Sequence, residues 1–301
     1  MHVVYSIFII LLHDTMRIIK TIHRAVVSPV DDLITYRAMP TETIDHLDPF
    51  LFLNHHGPQV YPPMNQGLPF GPHPHRGFET LTFIFDGDLM HLDSCGVKSI
   101  IKAGGIQWMT AGRGIVHAEV SSDEFKKKGG NVELIQLWFN LPARLKMIKS
   151  DYIGLQKDEI PAVSLSSNKV RLNVVSGTWN NVKGAVRPQT GIEIVSMELD
   201  RKIKYETTIE KERNILLYVV RGNIEVNGRT ASRHDLIEFG HNAERIEISA
   251  LEDSLILFGH GMPYNEPIVA QGPFVMNNIA EIKQAWLDYQ AGKMGSWEMN
   301  N

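Results

Sequence analysis

Short apolar runs, each closed by a glycine or proline turn, recur along this chain and read as strands rather than helices. Thr80-Leu-Thr-Phe-Ile-Phe85 is rich in β-branched and aromatic residues. It ends in Asp86-Gly87, a hairpin-type pair, so residues 88–93 read as the returning strand. Gly104-Gly105 marks a turn before Ile106-Gln-Trp-Met109, and Glu133-Leu-Ile-Gln-Leu-Trp-Phe139 forms a further strand closed by Leu141-Pro142. The stretch 146–168 is polar, carries Pro161 and Ser164–Ser167, and reads as a connector. From Val170 to Gly261 the rhythm returns, with Leu216-Leu-Tyr-Val-Val220, Gly222, Asn227-Gly228 and Ser254-Leu-Ile-Leu-Phe258. The two halves share one strand–turn pattern, as a duplicated all-β unit would. Near the end, Asn278 and Glu281 form a capping-box-like start, and Ile279, Ile282, Trp286 and Tyr289 fall on one helical stripe that Gly292 stops.

Composition changes this picture little. The chain has 301 residues, enough for two domains, with 43% apolar and 21% charged residues. A net charge of -4 argues against a nucleic-acid surface, and Lys126-Lys127-Lys128 reads as a solvated loop. The single cysteine, Cys95, excludes an intrachain disulfide and fits a reducing, cytoplasmic location. The apolar run from Val3 to Leu12 is too short to cross a membrane. Met16 is the expected start, with residues 1–15 a non-native or flexible extension.

The candidate chemistry lies in two pairs of ligand-type residues. His73-Pro74-His75 and His117-Ala118-Glu119 have the same one-residue gap, which places both members of each pair on one face of a strand. Three imidazoles and a carboxylate form a borderline-to-hard donor set suited to Fe, Ni, Cu, Mn or Zn. Glu79 shares the parity of His73 and His75, so strand parity leaves Glu79 and Glu119 both open as the carboxylate. His55-His56, before Gly57-Pro58, reads as loop, and His91 sits mid-strand beside the expected pocket. Arg76 and Arg113 are expected near its mouth. Gly112 and Gly114 are expected to bend the chain so that His117 aims inward. His234, His241 and His260 are singletons, so the second half is expected to bind no metal.

The spacing Gly67-x5-His73-x-His75-x3-Glu79 is similar to the first cupin motif. Pro72-His-Pro-His-Arg-Gly-Phe-Glu-Thr80 resembles the pirin signature, as do Gln107-Trp-Met-Thr-Ala-Gly-Arg-Gly-Ile-Val-His-Ala-Glu119 and Gln271-Gly-Pro-Phe-Val-Met-Asn277. The resemblance implies a bicupin, two antiparallel β-barrels of jelly-roll type with a C-terminal helix. The layout expected is a metal-binding barrel over 16–145, a connector over 146–168, a metal-free barrel over 169–265 and a helical segment over 266–301. Carried over by position, it implies His73, His75, His117 and Glu119 as ligands of Fe(II), with Glu79 behind them or in the core. It further implies a quercetinase-like dioxygenase that cleaves a flavonol with O2, with Glu119 as the proton acceptor. The alternative it implies is a redox-responsive regulator that binds a protein partner, a metabolic enzyme or a transcription factor. A zinc or manganese cupin isomerase is a third reading.

Overall fold

The computed structural model describes residues 15–296. Its strands form two similar halves, each built from a seven-stranded and a four-stranded antiparallel sheet. In the first half the large sheet runs in the order Asp151–Leu155, Ile106–Thr110, Phe78–Asp86, Gly130–Asn140, Phe50–Tyr61, Thr35–Met39, Val26–Val27. The small sheet is Phe70–His75, Ile115–Val120, Asp88–Asp93, Lys98–Lys102. The second half repeats the plan. The sheets face each other without closing into full barrels, which is the jelly-roll bicupin arrangement.

In the second half's large sheet, a central strand is buried on both faces and is apolar without a break over 215–220. In Asn214–Arg221, Ile215, Leu217 and Val219 face the second half's own core, whereas Leu216, Tyr218 and Val220 face the first half. There they meet Leu53, Leu81, Phe83, Ile135 and Leu137 of the first large sheet. The two halves thus share a core of their own. A charged cluster is set in that region. Glu133 is fully buried and accepts from His55 at 3.0 Å, from Arg233 at 3.4 Å and from Arg221. An unpaired buried carboxylate costs several kcal/mol, so these donors are what make Glu133 tolerable between the halves.

Several turns differ from the sequence expectation. Asp86-Gly87 is not a hairpin: Phe78–Asp86 pairs within the large sheet and Asp88–Asp93 within the small one. Gly87 is a corner at which the chain changes sheets, with φ +85° and Asn131 O and Val132 pressed against its Cα. Gly222 does the same in the second half, also at φ +85°. Asn227-Gly228 is a true two-residue hairpin, with Val226 opposite Arg229 and both turn residues at positive φ. His55-His56 does not lie in a loop; it sits inside strand Phe50–Tyr61, both rings buried. That strand runs on past Gly57, at φ +81°, where an irregular register between Val132 and Leu134 absorbs the turn residue.

The stretch 146–168 carries two strands, Asp151–Leu155 in the first large sheet and Ala162–Leu165 in the second. Strand Ile19–Arg24 pairs with Asp235–Phe239 at the edge of the second half's sheet. Just before it, the buried Arg17 donates to the carbonyls of Gly240, Ile209, Glu210, Lys211 and Arg213. The apolar run from Val3 to Leu12 and most of the expected extension lie outside the described residues. Among the described residues, no helix is long and apolar enough to cross a membrane.

Helix Ile279–Gln290 is capped as expected, Asn278 accepting from the Glu281 amide at 3.0 Å. Its buried face is shifted, however: Ile282, Ala285 and Asp288 point inward, while Ile279 and Trp286 are exposed. The apolar count favours Trp286, but a small Ala285 lets the helix approach the hairpin Val269–Gln271/Phe274–Met276 closely.

Burial lowers the pKa of His56, His234 and His260 to about 3, and lowers that of His55. The folded pKa lies below the unfolded value of about 6.5, so the unfolded chain takes up more protons below that pH. The stabilisation is complete above about 6.5 and is lost as pH falls toward 3. Urea midpoints are expected to fall between about pH 7 and about pH 5; a midpoint that rises on acidification contradicts neutral buried imidazoles.

Candidate metal centre

The inward face of the first small sheet gathers the chemistry. His117 lies directly across from His73, and Ile115 from His75, on paired strands. The next strand sets Asp93 opposite His117 and His91 opposite Glu119. Because side chains two apart share a face, His73, His75, His117, Glu119, His91 and Asp93 all belong to one inward surface. A register shift between His117 and Glu119 bends the strand at this point.

Three of these groups converge. One ring nitrogen each from His73, His75 and His117 lie within 4.8 Å of one another, and ring centroids are 4.4 to 4.9 Å apart. The hydrogen bonds fix two tautomers. His73 Nδ1 lies 2.7 Å from Gly71 O and His75 Nδ1 lies 3.2 Å from Pro273 O. A carbonyl only accepts, so both Nδ1 atoms carry the proton and both Nε2 lone pairs face away. His117 is fully buried and, among the described residues, neither of its nitrogens has a hydrogen-bond partner. Burial, then the neighbouring imidazoles, pushes His75 down to about 3 and His117 well below its ordinary value, so both are neutral donors.

Glu119 lies behind this trio and outside it. Its Oε2 accepts from Gln136 Nε2 at 2.7 Å; its Oε1 accepts from Thr82 Oγ1 at 3.3 Å and from Gln107 Nε2. Glu119 still lines the open pocket of about 270 Å³ above the histidines, with His73, His75, Phe52, Phe70, Gln136 and Trp138. His56 also lines it, its Nδ1 2.8 Å from Thr35 Oγ1. Glu79 is elsewhere: it is buried, receives Thr110 Oγ1 at 2.6 Å, and burial raises its pKa. His91 flanks the cluster, its ring 5.4 Å from that of His117 and its Nε2 3.0 Å from Asp93 Oδ2.

Arg76 is not at the pocket mouth. It is buried, bonding Asp288 Oδ2 at 2.8 Å and Arg113 O at 2.7 Å, and so ties the C-terminal helix to the histidine loop. Arg113 itself is exposed. Lys146, which belongs to no sequence motif, is a second tie. It is buried, and its ammonium donates to Gly77 O at 2.9 Å, Val275 O at 3.0 Å and Asn140 Oδ1 at 2.7 Å. Its pKa is lowered to about 8 by burial, opposed by Glu266, Glu281 and Asp48. Gly77 has φ +88°, and Val275 O packs so closely that no side chain fits there. These contacts hold the Gly272-Pro273 turn over the pocket, where Pro273 O orients His75.

Two facing-sheet halves with a buried histidine cluster in the first are the hallmarks of a bicupin. A family model described as Pirin matches residues 32–139, and one described as the Pirin C-terminal cupin domain matches residues 194–295. A Pseudomonas aeruginosa protein named "putative quercetin 2,3-dioxygenase" is 34% identical over 265 residues, covering 88% of this chain and 91% of that protein. A Solanum lycopersicum pirin-like protein is 35% identical, covering 88% of both chains. Among solved structures, a quercetin 2,3-dioxygenase from Acinetobacter baumannii superposes with a TM-score of 0.89 at 33% identity, covering 94% of this chain and 99% of that one. A bacterial pirin from Escherichia coli, solved with nickel(II), shares the fold at a TM-score of 0.65 and 24% identity, covering 81% and 99%. The chain belongs to the pirin family.

Lys146→Met keeps the volume and removes three charge-assisted hydrogen bonds. It is expected to destabilise the fold by about 3 kcal/mol in urea titration and to speed amide exchange at Val275. Unchanged exchange at Val275 would show that Lys146 does not hold the covering turn.

Proposed function

We propose that this protein is an iron-dependent dioxygenase that opens a flavonol-like ring with O2, with His73, His75, His117 and Glu119 holding the ion. The observation that carries the reading is His117. A buried imidazole with both nitrogens unpaired costs about 1–3 kcal/mol for each polar atom, and an ion in the trio removes that cost at the nitrogen that carries the lone pair. The donor set of three imidazoles and a carboxylate suits Fe(II), and Ni, Cu, Mn or Zn would also bind it. When bound, such an ion supplies Lewis acidity and open coordination positions for a chelating substrate and O2.

The protein's own residues account for the remainder. Phe52 and Trp138 stack 4.5 Å apart and, with Phe70, give the pocket an aromatic wall suited to a planar ring. The Gly272-Pro273 turn narrows the opening, and Gln136 and Asn54 offer the polar groups that orient a hydroxylated ligand. Glu119 faces the pocket as an acceptor and takes the proton of the substrate's 3-hydroxyl. The pocket is open, which favours small-molecule chemistry over a purely structural ion. Relatives and structural neighbours named for quercetin 2,3-dioxygenase activity support this substrate class.

The test is aerobic incubation of iron-loaded protein with quercetin, following oxygen uptake and release of carbon monoxide. Turnover is expected with wild-type protein and background rates with His75→Ala. Iron-loaded protein that consumes no oxygen removes flavonols as the substrate.

A further inference from the structure

Glu119 sits in a clamp of donors that treats its two oxygens unequally. An ionised carboxylate has about four acceptor positions, two on each oxygen. Among the described residues, Oε1 has both filled, by Gln107 Nε2 and by Thr82 Oγ1, the latter at 3.3 Å. Oε2 has one filled, by Gln136 Nε2 at 2.7 Å. Neither amide can reverse: Trp138 Nε1–H, which only donates, lies 3.2 Å from Gln136 Oε1, and a reversed Gln107 would set its own oxygen against the Glu119 carboxylate. Tyr152, whose OH lies 3.4 Å from Gln107 Oε1, is fixed by stacking on His91 at 3.9 Å and 17°, and His91 is bonded to Asp93. Gln107 and Thr82 are fully buried, whereas Gln136 is half-buried at the pocket.

We propose that Gln107 and Thr82 are positioning residues that commit Oε1, so that Glu119 offers the ion one lone pair, on Oε2. This rests on the reading of His73, His75, His117 and Glu119 as one metal site. A carboxylate limited to one oxygen leaves two positions open on a six-coordinate ion; a chelating one leaves a single position. The clamp therefore keeps room for two small ligands side by side, which a substrate and O2 both require.

The test uses full-length protein loaded with Mn(II) and water-proton relaxation, which counts exchangeable waters per bound ion. Thr82→Val is isosteric and frees one of the two acceptor positions on Oε1, so relaxivity per bound ion is expected to fall to about half, as two exchangeable positions become one. Gln107→Met is expected to act in the same direction. Thr110→Val removes a hydroxyl that bonds Glu79 instead of Glu119 and is expected to keep the wild-type value. Wild-type relaxivity in Thr82→Val and Gln107→Met, with Mn(II) still bound, overturns the proposal. So does a fall in all three variants, or a loss of Mn(II) binding in Thr82→Val with its thermal midpoint unchanged. Absence of Mn(II) binding by the wild-type protein instead overturns the metal-site reading, and this proposal with it.

Discussion

Three imidazoles crowded into one space, two of them buried and the innermost without a hydrogen-bond partner among the described residues, are the constraint on which the first half depends. Each ring carries polar nitrogens that need partners. His73 and His75 spend their N–H groups on carbonyls, which turns their lone pairs toward the shared space. His117 spends nothing. The arrangement makes physical sense with a cation at its centre and little sense without one.

The rest of the molecule serves that space in two ways. The strands Phe50–Tyr61 and Gly130–Asn140 run between the pocket and the contact with the second half, and their alternate residues serve each side. Phe52, Asn54, His56, Gln136 and Trp138 line the pocket, while Leu53, His55, Glu133, Ile135 and Leu137 meet the second half. The second half thus forms a rigid back for the strands that shape the site. From the other direction, the C-terminal hairpin and helix return to the first half, held by Arg76 and Lys146, and supply the carbonyl that orients His75. A site built from the first half's strands is completed by residues two hundred positions away.

The fold class was legible because strand runs, turn glycines and the two His-containing pairs are local signals. Asn227-Gly228 reads only as part of the strand–turn rhythm and is a two-residue hairpin; Asp86-Gly87 reads as a hairpin and is a corner, since a small polar residue followed by glycine at positive φ serves both. His55-His56 was hidden because a polar pair before Gly-Pro has the composition of a loop. It is a strand because each ring finds a partner, Glu133 for one and Thr35 for the other, that sequence distance conceals. The helix stripe was misjudged because apolar bulk was counted, whereas close packing selected Ala285. Of the site, the three histidines were visible in the spacing, and Glu119 needed the family resemblance to be preferred over Glu79. The clamp of Gln107, Thr82 and Gln136 was not visible at all, because a buried amide leaves no periodic trace.

The most direct measurement is X-ray absorption at the metal edge of protein purified without added metal, combined with elemental analysis. One ion per chain, showing imidazole scattering from three histidines and one further oxygen donor from the protein, is the result this account predicts. An ion-free protein that also fails to take up added Fe(II), or an ion whose surroundings lack imidazole, would contradict it.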